Sequence, residues 1–385
     1  MEELTPRQIL SRLVAFPTVS RDTNLPLIDW LDAYFSGHGI RTFRHWNEDR
    51  QKAALIAHAG PWQAGGVVLS GHSDVVPVDG QAWTSDPWTV TERDGRLYGR
   101  GTCDMKGYVA LAIWALVRAQ RAGVTRPLQL ALSYDEETGC TGAPPMIRTM
   151  QEVVPKASAV IVGEPSRMGV ITGHKGGVGF QVDVTGYEVH SSLLPEGVSA
   201  IMEAARLVHW VNERNDAVQA APRSAVAQAF NPPFTTLHVG AIRGGTAHNI
   251  TAAHCDFFVE MRVVPDESVD ARAADFEAEA LRLDAALKAR RPEAGVQFRR
   301  AFQIPGLRPE TDGAAERLAR SLTGGNAAGV VSYGTEAGQF QDEGYSAVVC
   351  GPGDIAQAHQ PDEYLEVAQF EAGHQFMARL VEQLR

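Results

Sequence analysis

The sequence predicts an α/β protein, in which a mostly parallel sheet is covered by helices and a second, smaller α+β domain is inserted into the chain. Two observations lead to this fold class. Over roughly the first 170 residues, short apolar runs bounded by glycine alternate with helical patterns, which is typical of strands buried on both faces of a sheet. Farther along, the elements follow the order β-α-β-β-α-β, which is typical of a small four-stranded sheet with two helices on one face.

The elements of the first segment are predicted from capping residues and apolar periodicity. Thr5 and Pro6 match an N-cap followed by a proline in the first helical turn, and Leu10 and Leu13 lie on one face of that helix. A second helix is predicted over residues 24–35, and a long apolar helix over residues 105–122. The buried strands of this segment are predicted at Ala53–Ala57, Val67–Ser70, Leu128–Ser133 and Ala159–Val162.

The pattern changes near Gly173-His174-Lys175, where alternating residues replace the continuous apolar runs. We interpret the segment after this change as an inserted domain, so that residues 1–174 and 304–385 form the catalytic domain and residues 175–303 form the insertion. The predicted elements of the insertion are Val178–Thr185 (strand), Ser199–Val211 (helix), Thr235–Ala241 and His254–Val263 (strands), Val269–Lys288 (helix) and Val296–Phe302 (strand). Beyond it, strands are predicted at Val330–Ser332 and Ala347–Cys350, and a closing helix at Val367–Leu384.

Composition excludes several classes of protein. Hydrophobic residues make up 44% and charged residues 21% of the 385 positions, which excludes a disordered chain. The net charge of −11, without any basic run, argues against nucleic acid or an anionic membrane as partner. No apolar run is long enough to span a bilayer, and the N-terminus lacks the layout of a signal peptide. The four cysteines form no C-x-x-C pair, so we expect a cytoplasmic protein.

Polar side chains stand where predicted strands end or a helix begins. His72 and Asp74 follow the strand V-V-L-S, with a spacing that would let Asp74 orient the imidazole of His72 from behind. Asp104 stands at the start of the long apolar helix. The residues alone leave ordinary alternatives open: a solvated turn for His72 and Asp74, and a helix N-cap for Asp104.

The run Asp135-Glu136-Glu137 is the most informative of these clusters. Three adjacent acids repel one another at the end of an apolar strand, and a divalent cation would relieve that repulsion. Thr138 and Gly139 can supply the turn through which Glu136 and Glu137 would reach one centre. A solvated acidic loop is the alternative.

Two further candidates are Glu164, which ends a strand before a proline, and His359, in a loop before the last helix. Together with His72, Asp104 and Glu137 they form a set of imidazole and carboxylate groups able to hold two metal ions bridged by one aspartate. Imidazole and carboxylate without thiolate suit zinc, with cobalt or manganese acceptable.

These segments resemble the co-catalytic di-zinc metallopeptidase family that contains acetylornithine deacetylase, succinyl-diaminopimelate desuccinylase, aminoacylases and glutamate carboxypeptidases. The resemblance covers essentially the whole chain, and five motifs occur in order, with 32 residues from His72 to Asp104 and 33 from Asp104 to Glu137. The strings G-H-K-G at 173–176, G-T-E-A-G at 334–338 and A-H-Q-P-D-E-Y at 358–364 are most similar to the acetylornithine deacetylase branch.

The resemblance implies two divalent metal ions, Zn²⁺ first and Co²⁺ as a substitute. The implied ligands are Asp104 as the bridge, His72 and Glu164 at one site, and Glu137 and His359 at the other.

The resemblance also implies roles for residues around the metals. Asp74 would be the partner of His72, and Glu136 would be the general base that takes a proton from the attacking water and passes it to the leaving amine. The family further has a cis peptide bond after the bridging aspartate, which would lie between Asp104 and Met105.

The inserted domain is similar to the lid and dimerisation domain of the family, which implies a homodimer. His190 would reach into the partner subunit's active site and stabilise the tetrahedral oxyanion. Asn249 and Arg262 would bind the α-carboxylate of the substrate, and Lys175 and Thr335 would line the pocket. Without the resemblance, His190 is an ordinary surface histidine and Arg262 a charge on a sheet face.

The function expected from the resemblance is hydrolysis of a small N-acyl-L-amino acid. The specific hypothesis is removal of the acetyl group from N²-acetyl-L-ornithine, giving L-ornithine and acetate in arginine biosynthesis. The same chemistry on succinyl-diaminopimelate, acetylcitrulline or a general N-acylamino acid is the nearest alternative. An inactive metal-binding or scaffold relative would have lost Glu136 or a ligand, and this chain retains them all.

Overall fold

Residues 2–385 are described by the computed structural model of the chain. They divide into two compact units. Unit 1 comprises the described residues up to Gly173 together with Leu307–Val330 and Thr335–Arg385. Unit 2 comprises His174–Gly306 and Val331–Gly334.

The described residues form helices and strands in close alternation. The α-helices are α1 (Pro6–Val14), α2 (Leu25–Gly37), α3 (Lys106–Ala122), α4 (Ala143–Val153), α5 (Ala200–Ala220), α6 (Val269–Arg290), α7 (Ala314–Thr323), α8 (Ala337–Asp342) and α9 (Val367–Gln383). The β-strands are β1 (Arg41–Trp46), β2 (Ala53–Ala59), β3 (Val67–His72), β4 (Thr91–Arg93), β5 (Arg96–Tyr98), β6 (Leu128–Ser133), β7 (Ala159–Pro165), β8 (Val170–His174), β9 (Gly176–Thr185), β10 (Thr236–Gly244), β11 (His254–Val263), β12 (Gly295–Ile304), β13 (Ala328–Val331), β14 (Ala347–Gly351) and β15 (Tyr364–Glu366).

The main sheet has the strand order β1-β2-β6-β3-β7-β14-β8-β13. Its four central strands, β6, β3, β7 and β14, are mutually parallel. Strands β1 and β2 at one side, and β8 at the other, join antiparallel. This sheet, parallel at its centre and mixed toward its edges, confirms the predicted α/β fold class together with the smaller second sheet.

Both faces of the main sheet are covered by helices. Neighbouring strand residues point to opposite sides, so successive residues of one strand enter different core clusters. Val67 and Leu69 of β3 pack into a core cluster with α1, α2, α3 and α9, whereas Val68 packs into a second cluster with α4 and α8. Helix α3 is apolar almost all round because it lies between the sheet and helices α1 and α9. The predicted start of α1 is confirmed: Thr5 accepts a hydrogen bond from the backbone of Gln8 in a full capping box.

Several elements were absent from the sequence prediction, and each has a local reason. Helix α4 begins at Ala143 and has Pro144 and Pro145 in its first turn, where prolines fit but mark a break when the sequence is read alone. Strand β1 is polar and only partly buried, and β8 has only five residues and is separated from β9 by Lys175 alone. Strands β15, β5 and β4 form a small separate sheet of three-residue strands, too short for a period to show.

Unit 2 contains the predicted β-α-β-β-α-β order, as β9-α5-β10-β11-α6-β12. Its sheet is antiparallel throughout, with the order β10-β11-β9-β12. Every second residue of β9, from Val178 to Val184, enters one core cluster with Leu207 of α5 and Phe276 of α6. Within residues 2–385, no helix is long and apolar enough to cross a membrane.

Candidate metal centre

The carboxyl ends of three neighbouring parallel strands bring the candidate ligands of unit 1 to one edge of the sheet. His72 is the last residue of β3, Glu164 is the penultimate residue of β7, and Glu136 and Glu137 follow β6 within four residues of its end. Strand β3 lies between β6 and β7, so all three ends meet. Open α/β sheets place their ligands at this edge.

The acidic run after β6 is a tight turn rather than a solvated loop. The backbone carbonyl of Glu136 accepts hydrogen bonds from the amides of Gly139 and Cys140, at 2.9 and 2.8 Å. Asp135 is not part of the centre, because its carboxylate accepts a hydrogen bond from Lys52. The turn therefore separates the three acids and leaves Glu136 and Glu137 at the sheet edge.

Asp104 lies between the two histidines. Its Oδ1 is 3.1 Å from Nε2 of His72, and its Oδ2 is 3.2 Å from Nε2 of His359. The peptide bond between Asp104 and Met105 is cis, as the resemblance implied. The alternative reading of Asp104 as a helix cap is wrong, because Met105 occupies the N-cap position of α3 and no side chain caps that helix.

His359 and Glu137 form the other end of the cluster. Nε2 of His359 lies 2.9 Å from Oε2 of Glu137, and the histidine side chain is 52% exposed whereas that of Glu137 is only 6% exposed. His72, at the opposite end, is buried, with Nε2 at 3.7 Å from Oε1 of Glu164. The carboxylate of Asp104 is thus shared by one buried and one half-exposed histidine.

Asp74 holds both His72 and the acidic turn. Nδ1 of His72 lies 2.9 Å from the backbone carbonyl of Asp74 and 3.6 Å from its carboxylate. The carboxylate also accepts hydrogen bonds from Oγ of Ser20 at 2.7 Å and from the backbone amides of Glu136 and Glu137 at 3.2 and 3.4 Å. Asp74 is buried, which excludes the solvated turn considered for the sequence.

The electrostatics of the cluster are dominated by buried negative charge. Burial, and then the charge of Asp104, raise the pKa of Glu137 to about 8, although His359 opposes the rise. Burial and the charges of Asp104 and Glu136 also raise the pKa of Glu164 well above its usual range. Hydrogen bonds to Asp104 and Glu137 raise the pKa of His359 to about 10. In the absence of a cation, the centre therefore favours bound protons.

Glu136 occupies the same centre without a histidine partner of its own. Burial raises its pKa to about 7, and the nearby His72 opposes the rise. The thiol of Cys140 donates a hydrogen bond of 3.1 Å to Oε1 of Glu136. One ligand atom each of His72, Glu136 and Glu164 lies within 4.8 Å of the others.

The residues present fit divalent cations. Oε1 of Glu137 and Oε1 of Glu164 are buried and lack a hydrogen-bond partner, although buried carboxylate oxygens are normally satisfied. Among residues 2–385, neither glutamate is paired with a lysine or arginine. One atom each of His72, Asp104 and Glu137 also lies within 4.8 Å of the others. Imidazole nitrogens and carboxylate oxygens in this arrangement suit zinc-like ions.

Comparison with known proteins agrees with this geometry. The model of peptidase family M20/M25/M40 matches residues 68–383, a span that includes every candidate ligand. The chain belongs to this family. An acetylornithine deacetylase of Myxococcus xanthus is 37% identical over 383 residues, covering 97% of this chain and 96% of that protein.

Solved structures of M20 proteins share the fold. An M20 family metallo-carboxypeptidase from Sulfolobus solfataricus matches with a TM-score of 0.80 at 15% identity, over 99% of both chains. The YXEP protein of Bacillus subtilis, a dinuclear metal-binding peptidase from the M20 family, matches with a TM-score of 0.63 at 14% identity, over 98% of this chain and 97% of that one. The family and its deacetylase members make this chain a metal-dependent hydrolase that acts on amides.

Within unit 2 of this M20 chain, His190 and Asn249 lie on adjacent loops. The backbone amide of Ser191 donates to the carbonyl of Asn249, and His190 forms a β-bridge with Ile250. Nδ1 of His190 is 2.8 Å from Oγ of Ser192. Both His190 and Asn249 are exposed.

Arg262 and Lys175 have different surroundings in unit 2. Arg262 lies on β11, is partly exposed and forms an ion pair with Glu260 on the same strand. Lys175 is buried, and its Nζ donates to the backbone carbonyls of Pro232 and Phe234 at 2.9 and 2.7 Å. Its ammonium group therefore holds the 232–234 loop.

Thr335, in unit 1, is buried, and its hydroxyl accepts a hydrogen bond from the amide of Ala337. Next to it lies Glu336, a buried acid to which the sequence analysis assigns no role in metal binding or catalysis. Its carboxylate accepts hydrogen bonds from the hydroxyls of Ser70 and Ser133, on the strands that lead to His72 and Glu136. Burial raises the pKa of Glu336 to about 7.

Ser20, Cys140 and Glu336 all support the centre without belonging to its ligand set. The sequence signal for Glu336 was an acid placed between glycines in the run G-T-E-A-G. For Ser20 and Cys140 there was none, because their partners lie far away or depend on the geometry of the acidic turn.

Proposed function

We propose that this M20 hydrolase is a zinc-dependent deacylase that removes the acetyl group from N²-acetyl-L-ornithine, giving L-ornithine and acetate. The chemistry is supported by the buried histidine and carboxylate cluster with its unpartnered oxygens on Glu137 and Glu164. The observation that carries the choice of substrate is the similarity to acetylornithine deacetylases, which extends over 97% of this chain for the Myxococcus xanthus relative.

The proposed metal assignment follows the distances in unit 1. Asp104 would hold both cations, because each of its oxygens faces a different histidine. His72 and Glu164 would complete one site, and Glu137 and His359 would complete the other. Two bound Zn²⁺ ions would polarise the amide carbonyl and lower the pKa of water in the site. Co²⁺ is the expected substitute.

Glu136 is the proposed general base. It is partly buried beside the ligands, and the proposed assignment does not use it to complete either site. Its carboxylate accepts the proton of the water that attacks the carbonyl carbon, and the resulting carboxylic acid gives that proton to the nitrogen of the departing amine. Asp74 positions this base through the amide of Glu136 and supports His72 through Nδ1.

Unit 2 is proposed to supply the substrate contacts and the lid. Asn249 and Arg262 would bind the α-carboxylate, for which a guanidinium is well suited once it releases Glu260. Thr335 would line the pocket beside Glu336. Lys175 would contribute by shaping the 232–234 loop, since its ammonium already donates to two carbonyls of that loop.

We also propose a homodimer formed through unit 2. Strand β10 is an edge strand whose second half is exposed. Ile201, Met202 and Ile242 are exposed apolar side chains, and Ile201 lies beside Gly244 at the end of β10. Light scattering should give the mass of a dimer, and the double change Met202→Glu with Ile242→Lys should give a monomer. A wild-type monomer would contradict the proposal.

His190 is proposed to act on the partner subunit's substrate. His190→Ala and Glu136→Ala should each be nearly inactive. After subunit exchange, the mixture should regain activity, because a mixed dimer has one site with both groups intact. No recovery after confirmed exchange would contradict the role of His190 across subunits.

The experiment that tests the proposed substrate is a hydrolysis panel on zinc-loaded protein. It compares kcat/KM for N-acetyl-ornithine, N-acetyl-citrulline, N-acetyl-methionine and N-succinyl-diaminopimelate. A clear preference for N-acetyl-ornithine is expected. A flat profile, or a preference for one of the other three, would overturn the substrate and leave the metal chemistry in place.

A further inference from the structure

A second buried ionic cluster lies behind the metal centre in unit 1. It consists of Arg100, in the loop before α3, and Glu363, four residues after His359. Both side chains are only 1% exposed, and Nη1 of Arg100 is 2.7 Å from Oε2 of Glu363. Glu363 contacts Asp104 through the backbone amide of that residue, and the proposed reaction gives no role to Glu363 or Arg100.

Glu363 receives donors on both carboxylate oxygens. Oε1 accepts hydrogen bonds from the backbone amides of Cys103 and Asp104, at 2.9 and 3.0 Å. Oε2 accepts from the amide of Gly101 at 3.0 Å in addition to Arg100. The side chain of Glu363 therefore fixes the backbone of the segment that carries the bridging Asp104.

Arg100 and Gln81 continue this contact to His359. Nη2 of Arg100 donates to Oε1 of Gln81 at 2.6 Å, and Nε2 of Gln81 donates to the backbone carbonyl of His359 at 2.9 Å. The same guanidinium also reaches the carbonyl of Gln360, at 3.4 Å. Two loops that are far apart in sequence are thus joined by three side chains.

The loop of His359 needs such an anchor. His359 and Asp362 have φ angles of 65° and 55°, in the left-handed region that non-glycine residues rarely adopt. Residues in this region persist where the surroundings over-determine their conformation. The hydrogen bond from Gln81 to the His359 carbonyl, and the clamp on Glu363, hold both ends of this five-residue loop.

We propose that Glu363, Arg100 and Gln81, called here the anchor network, are positioning residues that keep the Asp104 and His359 loops in register and thereby set the affinity for the cation bound by His359. The inference rests on the proposed metal assignment. The network acts through backbone groups, so its effect falls mainly on the site that contains the half-exposed His359, whereas His72 ends a buried strand of the central sheet.

The test is titration of the metal-free full-length protein with Zn²⁺ against a competing chelator. Gln81→Ala is the principal variant, because Gln81 is only partly buried and its loss leaves the Arg100–Glu363 pair intact. We expect Gln81→Ala to lower the affinity for one cation, the one that His359→Ala no longer binds, by about tenfold or more. Partners behind a ligand commonly contribute 10- to 100-fold to metal affinity. The other cation should change far less.

A double-mutant cycle separates positioning from general stability. In the His359→Ala background, Gln81→Ala should leave the affinity for the remaining cation unchanged. Glu363→Gln should lower the affinity for the cation bound by His359 at least as much as Gln81→Ala does. Glu203→Gln is the matched control, because Glu203 is a buried glutamate that pairs with Arg290 in unit 2, and it should leave both affinities unchanged.

The outcomes are distinguishable. If the wild type binds two Zn²⁺ ions and both network variants retain its two affinities, the anchor network has no positioning role and the metal assignment stands. The positioning role would also be overturned if Gln81→Ala lowered both Zn²⁺ affinities equally. The same holds if Gln81→Ala lowered the remaining affinity in the His359→Ala background. Fewer than two Zn²⁺ ions in the wild type would overturn the metal assignment and the inference together.

Discussion

Two buried acidic clusters meet at Asp104, the metal centre and the Arg100–Glu363 pair, and they are built in opposite ways. The carboxylate of Glu363 is surrounded by the guanidinium of Arg100 and three backbone amides. In the metal centre, no group of residues 2–385 lies within hydrogen-bond distance of Oε1 of Glu137 or Oε1 of Glu164 as a donor. The two clusters therefore differ in the supply of donors to their carboxylates and not in whether those carboxylates are buried.

The charges around the two clusters lead to the same distinction. Burial raises the pKa of Glu363, but Arg100 and the amides of Gly101 and Asp104 oppose that rise. For Glu164, burial is reinforced by the charges of Asp104 and Glu136, and His72 alone opposes it among the main influences. A cation from solution would supply the positive charge that the metal centre lacks, whereas both carboxylate oxygens of Glu363 already have donors.

The largest expected effect separates the chemistry of the metal centre from its capacity to bind metal. Glu136→Gln should lower kcat by roughly 100- to 10,000-fold, because the general base is lost. Zinc content should stay at the wild-type value, since Glu136 completes neither proposed site. Steady-state kinetics with metal analysis tests this, and Glu203→Gln serves as the control. Near-normal turnover in a metal-replete Glu136→Gln protein would remove Glu136 from the mechanism.

The next effect concerns the stability of the anchor network. Glu363→Gln should lower the free energy of unfolding of the metal-free protein by about 3 kcal/mol, because it leaves the buried Arg100 without its counter-charge. Urea denaturation in the presence of a chelator measures this. An unchanged unfolding midpoint would show that the two clusters are not energetically distinct.

The matching change in the metal centre should change the free energy of unfolding in the opposite direction. Glu137→Gln should raise the free energy of unfolding of the metal-free protein, by roughly 1–2 kcal/mol, because it removes a negative charge that burial and the neighbouring Asp104 disfavour. Zinc should then stabilise the variant much less than it stabilises the wild type, for which binding to the folded state alone adds stability. Denaturation with and without Zn²⁺ checks both statements. Destabilisation of the metal-free variant would contradict the comparison.

The smallest expected effect is a change in pH dependence at Glu336. Its folded pKa of about 7 lies above the ordinary value of 4.5, so the native state binds the extra proton between these values. Wild-type stability therefore falls as pH rises through that window, and Glu336→Gln removes this part of the fall. The variant should gain about 1 kcal/mol over the wild type for each pH unit between roughly 5 and 7.

Chemical denaturation of metal-free protein at several pH values measures the Glu336 effect. Exposed Glu382→Gln provides the control and should keep the wild-type slope. A Glu336→Gln protein with that same slope would exclude titration of Glu336 from the stability of the fold.

Much of the fold followed from the sequence because the central strands are buried on both faces. Strand β6 has the predicted bounds, Leu128–Ser133, since its buried run starts and stops sharply. Strand β11 also has the predicted bounds, His254–Val263, and there the signal is the alternation of buried and partly exposed residues. The metal centre could be predicted for a related reason: its acids and histidines follow such strands directly. An acid cluster at the end of an apolar strand conflicts with local stability, and that conflict is visible in the sequence.

The remainder depended on long-range geometry. Arg100 and Glu363 are 263 positions apart, and nothing in either local pattern indicates that they pair. Asp104 was ambiguous because an aspartate before a helix is equally suitable as a cap, and only the position of Met105 as the N-cap residue of α3 decides against a cap. Glu336 likewise depends on Ser70 and Ser133, which belong to strands in a different part of the chain.

The central claim is that the cluster with unsatisfied carboxylates binds two cations through a shared Asp104. The most direct measurement is the Zn²⁺ stoichiometry of the wild type, His72→Ala, His359→Ala and Asp104→Asn proteins, each confirmed to be folded. We expect two equivalents for the wild type, one for each histidine variant and a severe loss of both for Asp104→Asn. A wild type that binds no zinc, or histidine variants that retain two equivalents at wild-type affinity, would contradict the claim.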